Sequence, residues 1–288
     1  MVMTNKLINT IKKEDYAEQC CPLKKPGAIT PINVRRVLDK LDVYLNANDY
    51  AAAERHLKYW RSDAHSAGDL RGELTILNEQ IGLYRKMQQK ENGLAAIEAV
   101  LDLASELDIA GTISYGTTLL NAATAYKAFD QNDKALPLYE KAREIYEAEL
   151  SANDPRMAGL YNNMSIALRD AGNLDEAKQL LSRAIDIVLA AGQKLEAAIS
   201  YCNLADLIEA KSSAGTITDN SNTNYESQIF ECMDKAEELL DSDDVNRDGY
   251  YAFVCEKCAP VFGYYGYFAF KIELEKRAKD IYDIQQKK

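Results

Sequence analysis

The feature that most constrains this chain is a register of about forty residues in which it matches itself. Tyr84, Tyr126 and Leu168 lie 42 positions apart, as do Gly93, Ala135 and Ala177, then Ile97, Tyr139 and Leu181, then Val100, Ala142 and Ala184. The series opens 40 residues earlier with Tyr44, Ala53, Leu57 and Trp60, steps by 40 from Leu168 to Ile208, and closes on Ala236 and Ala278, again 42 apart. Between 32 and 259 only Pro137 and Pro155 interrupt the chain, apolar residues recur at three- and four-residue spacing, and strand-like alternation does not last. These features predict helices. The register divides the chain into six units, 33–67, 70–108, 112–150, 154–191, 194–241 and 248–286, forming one solenoid over 33–286.

Each unit reads as two antiparallel helices. In the third, Leu119, Ala122, Ala123 and Tyr126 share a face of the first helix, FDQND (129–133) makes the turn, and Ala135, Tyr139, Ala142 and Ile145 line the second. Such a pair cannot bury its apolar face alone, whereas stacked neighbours can. The small residue before Tyr126 or Leu168, the turn Gly172-Asn173, and Ala177, Leu181 and Ala184 resemble the tetratricopeptide repeat. The 42-residue spacing and the Asp154-Pro155 turn resemble its lengthened kinesin-light-chain type. HEAT and armadillo repeats share the period but lack these small-residue positions. The resemblance implies an all-α, right-handed solenoid of six helix-turn-helix repeats.

Two stretches depart from the repeat. Residues 1–32 form a lead-in, either a short amphipathic helix using Leu7, Ile8 and Ile11 to cap the open end or disordered chain. The insertion KSSAGTITDNSNTN (211–224) is polar and rich in turn formers, a surface loop or a lid.

In repeats that this chain resembles, first helices line a concave face where partners bind. With Leu119, Ala122, Ala123 and Tyr126 turned inward, the adjoining stripe is Thr117, Leu120, Asn121, Thr124, Lys127 and Ala128. Transferred by register it gives Asn78, Glu79, Arg85 and Lys86, then Asn162, Asn163, Arg169 and Asp170, then Cys202, Asn203, Asp206 and Glu209. Asn121, Asn163 and Asn203 form one column, and an amide can grip a peptide backbone with both donor and acceptor. The resemblance implies that role for them. Arg85, Lys127 and Arg169 form a second column, 42 apart, which would favour an acidic side chain or a chain terminus unless they are merely solvated surface cations.

The net charge of −11 carries no basic footprint for nucleic acid. With no apolar run of 18 residues and no apolar stretch typical of a signal peptide, the chain reads as cytoplasmic, not membrane-bound, with reduced thiols. Neither His56 nor His65 has an evident partner, and no catalytic or phosphate-binding motif occurs. The reading is therefore a non-enzymatic, cofactor-free scaffold for a protein or peptide partner, or else a peptide-responsive regulatory sensor. Tyrosines among 250–270 read as core and end-capping, and any left exposed at a solenoid end would support a homodimer.

The stretch DDVNRDGYYAFVCEKC (243–258) looks at first like a metal site. A calcium loop counted from Asp244 would need an acid at Cys255, and a lone Cys-x-x-Cys falls short of zinc. The register instead makes Asp248 a helix N-cap and puts Cys258 and Ala259 in the core.

Overall fold

A computed structural model describes residues 30–214 and 224–286. The expectations for residues 1–29 and for 215–223 of the insertion lie outside them. Among the described residues there are twelve α-helices and no strand. The chain divides into two compact units, Met1–Ala152 and Asn153–Lys288.

The first unit holds α1 (Val34–Asn46), α2 (Tyr50–Ser66), α3 (Leu70–Lys86), α4 (Lys90–Glu106), α5 (Ile113–Ala128) and α6 (Asn132–Glu149). Helices α1 and α2, α3 and α4, and α5 and α6 pack as hairpins, and α3 also touches α2 and α5. The second unit repeats the plan with α7 (Pro155–Asp170), α8 (Leu174–Ala190), α9 (Lys194–Ser213), α10 (Tyr225–Asp241), α11 (Gly249–Tyr264) and α12 (Phe268–Gln286). There α9 additionally touches α7, α8 and α11. This is an all-α solenoid of helical hairpins.

A capping device explains the repeat in the sequence. At the ends of α1, α3, α5, α7 and α11, the N–H of Asp49, Gln89, Gln131, Asn173 and Tyr267 donates to the carbonyl of Tyr44, Tyr84, Tyr126, Leu168 and Phe262, each at 2.9 Å. The residue before each donor takes a left-handed conformation: Asn48, Gln88, Asp130, Gly172 and Gly266, with φ from 54° to 89°. These are Schellman closures, which satisfy helix-end carbonyls and turn the chain back sharply. The Tyr84, Tyr126, Leu168 column thus marks the third-last position of each first helix.

The small-residue column has a packing cause. Ala53, Ala135, Ala177 and Ala236 are fully buried. At Gly93 on α4, an added Cβ would lie 2.4 Å from the Phe129 ring, so only glycine admits that ring at the end of α5.

Helix α3 supplies two cores. Ile76 and Leu83 pack with Val37, Leu38, Leu41, Ala53 and Leu57 of α1 and α2. Leu74, Leu77, Ile81 and Tyr84 pack with Ile97, Val100 and Phe129 beyond. Every residue from Gly72 to Tyr84 is buried, because apolar neighbours lie on opposite sides of one helix.

His56 is half-buried and partnered, whereas His65 lies at the surface. His56 Nε2 donates to the Val37 carbonyl at 2.9 Å, with its ring set edge-on to Tyr44 and Trp60, so it joins α1 to α2. His65, itself exposed, meets the buried carboxylate of Glu73 at 2.8 Å.

Residues 243–258 form a turn and a helix start. Asp248 caps α11, accepting from the N–H of Tyr250 and Tyr251 at 2.9 and 3.2 Å. Asp244 accepts from Lys194 Nζ at 2.7 Å, which holds its carboxyl below the usual range. Glu256 accepts from the Tyr282 hydroxyl at 2.9 Å. Cys255, Cys258 and Ala259 are core. Among the described residues no cluster of His, Cys, Asp or Glu is placed to hold a metal ion.

Candidate protein-docking surface

The first helices α3 and α5 carry the polar stripe of the first unit, and the structure turns most of it inward. Asn78 and Asn121 are buried. Asn121 Nδ2 donates to Asn78 Oδ1 at 2.8 Å, and Asn78 Nδ2 donates to the Leu74 carbonyl and to Thr118 Oγ1 at 3.0 and 3.1 Å. The pair ties α3 to α5. Thr117 and Thr124 face the partner helix α6: Thr117 Oγ1 shares a 2.7 Å hydrogen bond with the Tyr146 hydroxyl, and the Tyr139 hydroxyl donates to Thr124 Oγ1 at 3.1 Å. Packing α5 on α6 places these threonines against tyrosines, so the stripe is rotated away from solvent.

The cations at the C-terminal ends of α3 and α5 remain half-buried. Arg85 lies near Tyr139; burial lowers the guanidinium pKa and pushes the phenol up to about 12. Among the described residues no carboxylate pairs with the Arg85 guanidinium. Lys127 is half-buried one repeat further on.

In the second unit Asn162, Asn163 and Asn203 are half-buried on α7 and α9. Asn162 is brought together with Asn203: its Oδ1 accepts from Asn203 Nδ2 at 3.0 Å and from Ser200 Oγ at 3.1 Å. This joins α7 to α9 as Asn78 and Asn121 join α3 to α5.

Beside this link a groove of about 510 Å³ opens between α7, α9 and α11. Arg169 comes from α7, Asp206, Glu209, Ala210 and Ser213 from α9, and Pro260, Val261 and Tyr264 from α11. Three successive first helices therefore each contribute one wall. Arg169 is ion-paired, its guanidinium lying 3.1 Å from Asp170 and 3.5 Å from Asp206. The Tyr264 hydroxyl donates to Glu209 at 2.5 Å, and the Tyr265 hydroxyl reaches both Asp206 and Glu209 at 3.1 Å. Burial holds the Asp206 carboxyl above the usual carboxylate range, with the Tyr265 hydroxyl and Arg169 opposing the rise and the Glu209 charge adding to it.

Asp206 and Glu209 fall on the stripe drawn from the sequence. Pro260, Val261 and Tyr264 do not, because the insertion after α9 breaks the constant offset that located the other walls. The signal for Tyr264 is the aromatic run 262–270, which the structure splits: Phe262 and Phe270 are buried, whereas Tyr264 and Phe268 are 67% and 66% exposed.

A solenoid of helical hairpins whose first helices line a groove defines a repeat protein of the tetratricopeptide type, a class that generally mediates protein–protein interactions. The tetratricopeptide repeat family matches residues 72–148 of the chain, and the soluble NSF attachment protein family, SNAP, matches residues 117–250. Among solved structures, a kinesin-light-chain-like protein of Podosopora anserina with nearly identical TPR-like repeats is 16% identical, with a TM-score of 0.51 over 75% of this chain and 97% of that one. A singly substituted form of that protein gives a TM-score of 0.52 at the same identity and coverage. BtubC (BKLC) from P. vanneervenii is also 16% identical, with a TM-score of 0.51 over 88% of this chain and 92% of that one. At this identity the likeness is one of fold. No curated protein sequence matches the chain.

Proposed function

We propose that the chain is a non-enzymatic cytoplasmic scaffold that binds a protein partner by docking a peptide segment on its first helices. The groove of the second unit carries the reading. It has room for several side chains, and Ala210, Pro260, Val261 and the Tyr264 ring give it apolar walls among polar groups. That combination suits a segment anchored by apolar contacts and oriented by a few hydrogen bonds. Asn163 lies on α7 and Asn203 on α9, where their amides would contact the backbone of a docked segment.

Any preference for acidic partners is assigned to the first unit, and there to Arg85. A half-buried guanidinium with no carboxylate paired to it among the described residues offers a forked donor to an incoming acid. Arg169 has its own carboxylates.

Selection of a displayed random peptide library against the full chain tests both parts. Peptides that dock in the groove should shift the methyl resonances of Ala210 and Val261 and should lose about tenfold in affinity with Tyr264→Ala. Recovery of no peptide, or of peptides that leave those methyls unmoved, overturns the groove reading. Acidic peptides whose affinity is unchanged by Arg85→Ala overturn the assignment to Arg85.

A further inference from the structure

The groove between α7, α9 and α11 is lopsided in charge. Among the described residues that line it, Arg169 is the one cation, and it is shared between Asp170 and Asp206. Glu209 accepts from the hydroxyls of Tyr264 and Tyr265, which hold the carboxylate in place but bring no positive charge. Counting Asp170, the described residues put three carboxylates and one guanidinium at the groove. An acidic segment would bring a fourth negative charge to walls that already repel it.

The apolar part of the lining completes the picture. Pro260, Val261 and Ala210 lie beside the acids, and the exposed Tyr264 ring stands at the same wall. Arginine and lysine are built for such a surface, since a long aliphatic stem packs on apolar walls while its charged end reaches a polar rim. A ring beside a carboxylate attracts the same end, through its face and through the neighbouring charge.

We infer that this groove selects a cationic side chain, an arginine or lysine presented by the docked segment of the partner protein. Its stem would lie along Pro260, Val261 and Ala210, and its head would sit between Glu209, Asp206 and the Tyr264 ring. The inference rests on the docking reading above and is separate from the role assigned to Arg85. Asp206 supports it independently of shape: burial and the Glu209 charge disfavour its ionised form, and a bound cation would relieve that penalty.

The test uses the full chain with labelled alanine and valine methyls and five blocked Gly/Ser nonapeptides. These carry a central Arg, Lys, Gln, Leu or Glu. Titrations at low salt should move the Ala210 and Val261 methyls, with Arg and Lys peptides binding about tenfold or more tighter than the Glu peptide. Added salt should weaken the Arg and Lys peptides and spare the Leu peptide. Glu209→Gln, which keeps the size of the side chain, should erase most of the Arg-over-Gln preference, and Asp206→Asn should reduce it. Equal binding of Gln, Leu and Arg peptides leaves groove docking standing and overturns the cation preference. A Glu peptide that binds tightest overturns it too. If none of the five moves those methyls, docking and preference fall together. The ranking in the unmodified chain decides the sign, so poor folding of either variant does not obscure the outcome.

Discussion

Asn121 of α5 donates its amide to Asn78 of α3 at 2.8 Å, in an interior where Asn78 is wholly buried. Removing one partner strands the other without water. Asn78→Leu and Asn121→Leu should each destabilise the fold by about 1–3 kcal/mol. The double variant should cost less than the sum, because both ends of the bond are lost together. Urea unfolding of the four proteins gives the cycle, and strict additivity would mean that the bond contributes nothing.

Gly93 faces the buried ring of Phe129 too closely for any side chain. Gly93→Ala should therefore cost about 1–3 kcal/mol, although alanine has the better helix propensity. Combining it with Phe129→Leu should cost less than the two changes separately. A Gly93→Ala chain as stable as the parent in urea would show that the ring has room to move.

The turn after α7 places Gly172 at φ 84°, with no atom within 4 Å of where a Cβ would stand. Gly172→Ala should then destabilise by about 1–2 kcal/mol through backbone conformation alone. The matching residue after α3 is Gln88, at φ 56°. Gln88→Gly should stabilise by up to about 1 kcal/mol, less the bond its side chain makes to the Arg85 carbonyl. Urea midpoints moving in opposite directions would check the pair.

Burial pushes the thiol of Cys232 up to about 11 and that of Cys255 to about 12, against an ordinary value of 9.0. At pH 8 only about one thiol in a thousand at the former is ionised, and the thiolate is the reactive form. Iodoacetamide at pH 8 should spare both cysteines in the folded chain and modify them in urea, as read by peptide mapping. Because folding raises these values, the neutral thiols favour the fold fully below about pH 9. That contribution should fade as pH climbs through 11 and 12, so stability should fall across that window.

The helical hairpins were legible because their spacing is written by backbone closure. Tyr84, Tyr126 and Leu168 recur where a carbonyl must accept the bond that ends each first helix, and Gly93, Ala135 and Ala177 recur where a neighbour comes close. The polar stripe was less legible. Assigning it by what remained after one apolar face was drawn assumes a single buried face, and α3 and α5 have several. Thr117 and Thr124 consequently face Tyr146 and Tyr139. In the second unit the amide pair joins Asn162, not Asn163, to Asn203, a difference of one position that helix rotation decides. Pro260, Val261 and Tyr264 escaped because an insertion of irregular length separates them from the walls they join.

The amide links carry a consequence for how such an array can change over generations. Hairpins that look alike by spacing invite duplication, deletion or exchange. Yet α3 presents an asparagine that must find another on α5, and Asn162 of α7 needs its counterpart on α9. Inserting a copy lacking that amide would set a polar group against a foreign wall. Hairpins with a common outline are therefore interchangeable only where the matching amide recurs.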